Sequence, residues 1–274
     1  MTNSKWWKQL NWPEYFAELL GTAFLIFIGL SAVTFDLGEG LPMEDLIPNK
    51  GFRLLITGLL FAGSGSLVAI SPLGKLSGAH INPAVSLAFW AKGKMELYDL
   101  GGYVIGQFVG ALIGAALLVL VWGDYAASVN NGMTLPGDGY SLWDAFLVEM
   151  GMTFLFVFSI FIFVSSHRLM HWTPLMTWLL IAVMVWWGAP ISGTSINPAR
   201  SIGPAAVSWS WQAQWLYCIA PPLGAMQAIM VYRFLNMNKC KIITGKLFHV
   251  PHYRCIFKDV KVSHSQHQSF SNKQ

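Results

Sequence analysis

The sequence predicts an all-α membrane protein, with six transmembrane helices and two re-entrant half-helices arranged as an inverted repeat. Three observations carry this. The chain of 274 residues is 54% hydrophobic and only 11% charged, against roughly 25% charged in soluble domains. Six runs are apolar enough and long enough to cross a bilayer, which takes about 20 residues. Two further apolar runs are too short to cross, and both follow a copy of one short box.

Residues 1–13, with Lys5 and Lys8, read as a cytoplasmic arm. No small-residue cleavage site follows the first apolar run, so that run is a retained span and not a signal peptide. The membrane domain covers 14–236, with repeat one at 14–122 and repeat two at 142–236. Its six spans are Tyr15 to Phe35, Gly51 to Ile70, Tyr98 to Trp122, Trp143 to Ser165, Trp172 to Gly188 and Trp211 to Leu235. The two short runs are 82–91 and 197–208. Residues 237–274 are polar, basic and His-rich, and read as a cytoplasmic tail that stays outside the membrane, partly disordered. His249, His252, His264 and His267 are too irregularly spaced there for a metal site.

The two halves are related. Glu18-x-x-x-Thr22 matches Glu149-x-x-x-Thr153, Asn82-Pro83-Ala84 matches Asn197-Pro198-Ala199, and Tyr103-x-Ile105 with Gly110-Ala111 matches Tyr217-x-Ile219 with Gly224-Ala225, all in the same order. Three spans per half is an odd number, so the second half enters the membrane inverted, and the two half-helices come from opposite faces to meet N-terminus to N-terminus. Loop charge agrees. Lys75, Lys92, Lys94, Arg168 and Lys239 fall on one side, and Asp36, Glu39, Glu44, Asp45, Asp124 and Asp138 on the other, with Lys50 and Arg53 as exceptions. The positive side is cytoplasmic. The net charge of +4 is thus a matter of topology, and nucleic acid is not an expected partner. Three cysteines, Cys218, Cys240 and Cys255, are an odd set without metal spacing and read as free thiols.

The boxes are Ser77-Gly78-Ala79-His80-Ile81-Asn82-Pro83-Ala84 and Ser192-Gly193-Thr194-Ser195-Ile196-Asn197-Pro198-Ala199. Asn is a good N-cap, and Pro fits the first helical position because its missing N–H is not needed there. Each box therefore starts a helix at Asn-Pro, after a short irregular segment whose carbonyls are left for other partners. Two facing N-termini place about half a positive charge each at one point, which repels cations. Carbonyls of Gly78, Ala79 and His80, and of Gly193, Thr194 and Ser195, form a candidate acceptor ladder on either side of the two asparagines. Glu18 and Glu149 are buried carboxylates whose symmetry favours a structural role, accepting hydrogen bonds from the irregular backbone before each half-helix. His80, alone in its box, reads as a hydrogen-bonded core residue more than as a pH gate. Arg200 is a cation inside the membrane and so a functional candidate, its alternative being an ion pair with Glu149 or Glu18.

The paired boxes, each with Ser-Gly and a shared Ile-Asn-Pro-Ala core, followed in the second by Arg200, resemble the signatures of the aquaporin (major intrinsic protein) family across about residues 14 to 236. The resemblance implies an aquaporin-like fold, a homotetramer in the plasma or bacterial inner membrane, no cofactor, no metal and no enzymatic activity. It implies a passive channel for water and small uncharged solutes that excludes protons and ions, a selectivity for which aquaporins are a known instance. A strictly water-selective channel stands as the alternative. An ion-coupled transporter is disfavoured because neither box holds a carboxylate, and a pore-less junctional protein is a third reading.

By gapless counting from the boxes, the resemblance assigns the selectivity filter to Ala62, Val185, Thr194 and Arg200. Water-selective members usually carry an aromatic residue at the first position and His at the second. Ala62 and Val185 should widen the ring, a pattern closer to plant-type members that admit small polyols or metalloid hydroxides. The run Gly188 to Gly193 resembles those members too. Ser201 stands where glycerol facilitators usually carry Asp, and Tyr217 is aquaporin-like. Phe61 and Trp186, each beside a filter position, are the residues that could refill the gap.

Overall fold

The computed structural model describes residues 10–235 and 242–257, and the readings that rest on Lys5, Lys8, Lys239, Cys240, His264 and His267 lie outside them. Six helices are long and apolar enough to cross a membrane: α1 Trp12–Leu37, α2 Lys50–Ile70, α4 Leu97–Trp122, α5 Leu142–Val164, α6 Thr173–Ser192 and α8 Gln214–Phe234. Among the shorter helices between them are the two that follow the boxes, α3 Pro83–Ala91 and α7 Pro198–Val207. Local chemistry starts each helix. Asn49 caps α2 by accepting from the Phe52 N–H at 3.1 Å. Ser141 and Asp144 form a reciprocal capping box on α5, satisfying donors that the first turn leaves open.

The expected spans hold to within a few residues, apart from two ends. The fifth span runs on to Ser192 although Pro190 lies inside it. One interior proline removes a single helical bond, and the helix stops only where Gly193 turns left-handed at φ 77°, a conformation glycine takes without strain. The last span begins at Gln214, because Ala213 at φ 56° breaks the chain ahead of it.

Small residues bring the bundle together. A Cβ on Gly110 would overlap the Leu19 carbonyl oxygen of α1, and one on its repeat mate Gly224 would overlap that of Met150 on α5. The first and third spans of each repeat therefore touch backbone to backbone, the arrangement that small residues allow in membranes. Each half-helix leans on the third span of the other repeat as well as on that of its own, so α3 packs on α8 and α7 on α4. The halves are interlocked, and the core of Leu25, Ile26, Val85, Phe89, Phe156 and Ile229 runs through both. Large apolar side chains such as Phe16, Ile105, Leu120, Leu155 and Met230 point outward, where lipid and not water is their solvent.

The tail departs from expectation. Ile242, Thr244, Lys246, Leu247, His249 and Phe257 are all buried, so residues 242–257 lie folded against the body instead of standing free of it. Polar composition alone suggested solvent, but the burial is supplied by groups of the body remote in sequence. The Val164 carbonyl accepts from the Ile243 N–H at 3.0 Å, and the Gly78 carbonyl from the Leu247 N–H at 2.9 Å.

Candidate functional site: two interlocked boxes on one cavity

In both boxes the chain passes through left-handed conformations that side chains resist. Gly78 (φ 99°), Ala79 (55°) and Ile81 (40°) in the first are matched by Gly193 (77°), Thr194 (47°) and Ile196 (47°) in the second. Such positions cost on the order of 1–3 kcal/mol each away from glycine. The two carboxylates hold them. Glu18 Oε1 accepts from Ser77 Oγ at 2.7 Å and the His80 N–H at 2.9 Å, and Oε2 from the Ile81 N–H at 2.6 Å. Glu149 Oε1 accepts from Ser192 Oγ and the Ser195 N–H, and Oε2 from the Ile196 N–H, each at 2.7 Å. Hydrogen bonds to a charged group contribute about 1.5–3 kcal/mol each, so three per box outweigh the strain. Tyr103 and Tyr217 close the arrangement, their hydroxyls donating to the Ser77 and Ser192 carbonyls.

The asparagines tie the halves to each other. Asn82 Oδ1 accepts from the Ala84 N–H at 2.9 Å while its Nδ2 donates to the Ile196 carbonyl at 2.9 Å. Asn197 mirrors this, its Oδ1 accepting from Ala199 and Arg200 N–H groups and its Nδ2 donating to the Ile81 carbonyl at 2.9 Å. The two helix N-termini thus meet at one point. An amide nitrogen carries two hydrogens, and one of each pair is engaged across the join. The other is left for the cavity, which Asn82 and Asn197 both line.

That cavity has a volume of about 580 Å³ and runs along α2, from Lys50 and Gly51 at its start to Ser66 and Ala69 near its end. Ala62, Val185, Thr194 and Arg200 all border it, and so do Phe61 and Trp186. Thr194 Oγ1 donates to the Met184 carbonyl at 3.2 Å. Arg200 is buried at 6% exposure. Its Nη1 donates to the Gly132 carbonyl at 2.7 Å and its guanidinium lies 5.6 Å from the centre of the Phe61 ring. A loop carbonyl and a ring face thereby orient the cation, while the Glu149 oxygens accept from backbone and Ser192.

Of the expected carbonyl ladder, His80, Gly193, Thr194 and Ser195 border the cavity. Gly78 does not fit the ladder, because its carbonyl accepts from Leu247 of the tail, and Ala79 is buried beside it. His80 sits in a chain of hydrogen bonds. Its Nε2 is 2.9 Å from the Gly245 carbonyl and must therefore be the protonated nitrogen. Its Nδ1 then accepts from Ser86 Oγ at 3.1 Å, and Ser86 accepts from Gln107 Nε2 at 2.9 Å. In the second box Ser195 and Ser201 occupy the matching places with hydroxyls 2.6 Å apart.

Sequence reasoning missed Gln107, whose Nε2 also donates to Glu18 at 2.7 Å, since its repeat mate is Pro221 and no symmetry marks it. It missed Gly132, which acts through its carbonyl alone. It also missed Gly245 and Leu247, which carry no signal until the fold brings them to the first box.

Residues 5–232 match the sequence pattern of the family described as Major intrinsic protein. Aquaporin Z of Rhodopseudomonas palustris is 32% identical over 86% of this chain and 98% of its own. Aquaporin NIP1-1 of Arabidopsis thaliana is 33% identical over 79% of this chain and 71% of its own. Among solved structures, the aquaglyceroporin from Plasmodium falciparum superposes with a TM-score of 0.68 at 21% identity, covering 83% of this chain and 98% of that one.

The clamp predicts an outcome. Glu18→Gln or Glu149→Gln turns one acceptor oxygen into a donor against donors already there. Each buried group left unpaired costs about 1–3 kcal/mol, so both variants should lose several kcal/mol of stability and melt well below wild type in detergent, as read by fluorescence-detected size exclusion. Wild-type melting of both would mean that the carboxylates do not hold the boxes.

Proposed function

The chain belongs to the major intrinsic protein family and is a channel, and we propose that its pore passes water together with small uncharged solutes of the glycerol, boric acid or ammonia class while excluding protons and ions. One observation carries the solute range: the cavity wall at Ala62, Val185, Thr194 and Arg200 offers one cation, one hydroxyl and two small apolar faces. A carbon backbone can lie against Ala62 and Val185 while its hydroxyls meet Arg200 and the box carbonyls. Ions meet the paired helix N-termini and the fixed guanidinium, which act on any passing cation as one positive barrier.

A second reading, strict water selectivity, has an observation of its own. Phe61 borders the same cavity with its ring over Arg200, where it narrows the passage from the position next to Ala62. Paired swelling assays on proteoliposomes, under a sucrose gradient and under a glycerol or boric acid gradient, separate the two. Wild type should take up both solute and water, and Ala62→Phe with Val185→His should cut solute flux about tenfold or more, a barrier change of about 1.4 kcal/mol, with most water flux kept. Wild-type liposomes that swell in water yet exclude every such solute would favour the second reading, and Phe61→Ala should then admit the solutes.

We place both termini in the cytoplasm, in the plasma membrane or bacterial inner membrane, with the chain assembled as a homotetramer. Orientation rests on Lys75, Lys92, Lys94 and Arg168 in the loops of one face, against Glu39, Glu44, Asp45, Asp124 and Asp138 on the other. Lys94→Cys in intact cells should resist an impermeant thiol reagent until the membrane is opened. Efficient labelling from outside would invert the assignment.

A further inference from the structure

We propose that the mouth of the pore beside the first box is a binding site for the chain's own segment 242–257, and that the seated segment closes the channel. This goes beyond the solute reading and holds whichever solutes pass. The segment engages the box itself. Leu247 donates its N–H to the Gly78 carbonyl at 2.9 Å and its side chain borders the same cavity as Ser66, Ala69 and His80. The Gly245 carbonyl accepts from His80 Nε2 at 2.9 Å. The tail therefore satisfies His80, which borders the cavity, and the Gly78 carbonyl of the same box, and places an apolar residue at the opening.

The seat is built from several elements of one face. Lys246 Nζ donates to the Lys75 carbonyl at 2.6 Å and to the Arg254 carbonyl. Arg254 pairs with Glu14 at 3.2 Å and reaches Asn11 at the start of α1. Phe257 is buried with its ring 5.3 Å from that of His80 and 6.3 Å from that of Tyr103. Ile243 closes the set on Val164 at the end of α5. Apolar burial of Ile242, Leu247 and Phe257 favours the seated state.

Other terms oppose it. Lys246 is fully buried, and burial pushes its ammonium below the ordinary lysine range. His249 is buried with neither ring nitrogen hydrogen-bonded, which opposes burial. Unfavourable terms set against the favourable ones give the segment a route to open as well as to close.

The test uses full-length protein with two readouts. In detergent, limited trypsin digestion at Lys246 and Arg254 reports whether the segment is seated. In proteoliposomes, stopped-flow light scattering reports water flux. Gly245→Val drives a side chain into the Phe257 ring, and Leu247→Ala removes the side chain at the opening; both positions lie in the tail segment and outside the six spans. If the seated form outnumbers the released one about ten to one, release raises flux up to about tenfold. The proposal expects slow cleavage in wild type, fast cleavage in Gly245→Val, and raised flux in both variants. Wild-type cleavage as fast as that of urea-unfolded protein would overturn it, as would a Gly245→Val channel whose tail is released while its water flux matches wild type.

Discussion

Backbone that leaves a helix inside a membrane must find every hydrogen-bond partner within the protein, because lipid supplies none. The rest of this structure depends on how two irregular segments meet that demand. Glu18 and Glu149 gather the N–H groups of His80 and Ile81 in one box and of Ser195 and Ile196 in the other. Asn82 and Asn197 exchange hydrogen bonds with the Ile196 and Ile81 carbonyls. Donors are consumed on the side facing the protein, so carbonyls are left toward the cavity. The same bonds fix two helix N-termini nose to nose. A neutral molecule that can donate and accept finds partners there, while the positive ends of two dipoles and the Arg200 guanidinium oppose a cation.

The symmetry is close but incomplete. Both boxes use a Glu, a Tyr and an Asn in matching roles. The first adds Gln107 and His80, and the second a pair of hydroxyls on Ser195 and Ser201. Only the second carries Arg200, held by the Gly132 carbonyl and the Phe61 ring. Only the first receives the tail. Arg200 thus borders the cavity beside the second box, and the described tail segment meets the first.

Much of the fold was legible in the sequence because it is written in local terms. An apolar run of sufficient length has few alternatives in a bilayer, and Asn-Pro at the head of a run too short to cross has fewer. The relation between the halves was visible in the repeated Glu, Tyr and Gly positions. Residues such as Ala62 and Val185 could be located only by counting from the boxes, and the structure brings both to the cavity together with their neighbours Phe61 and Trp186. What stayed hidden depends on distant groups. The fifth span read as ending at Gly188, but the helix runs on through Pro190 and stops at Gly193. The tail looked solvated, yet Lys246 finds the Lys75 carbonyl and Arg254 finds Glu14, partners that no local pattern can announce.

The central claim is that the joined boxes conduct neutral molecules and reject charge. The most direct measurement is simultaneous: proteoliposomes loaded with a pH-sensitive dye, subjected to an osmotic step and a transmembrane pH gradient, with light scattering and dye followed together. Water flux should lie well above that of empty liposomes while proton leak stays unchanged from them. Proton leak that rises in step with water flux, or swelling driven by the proton gradient itself, would contradict it.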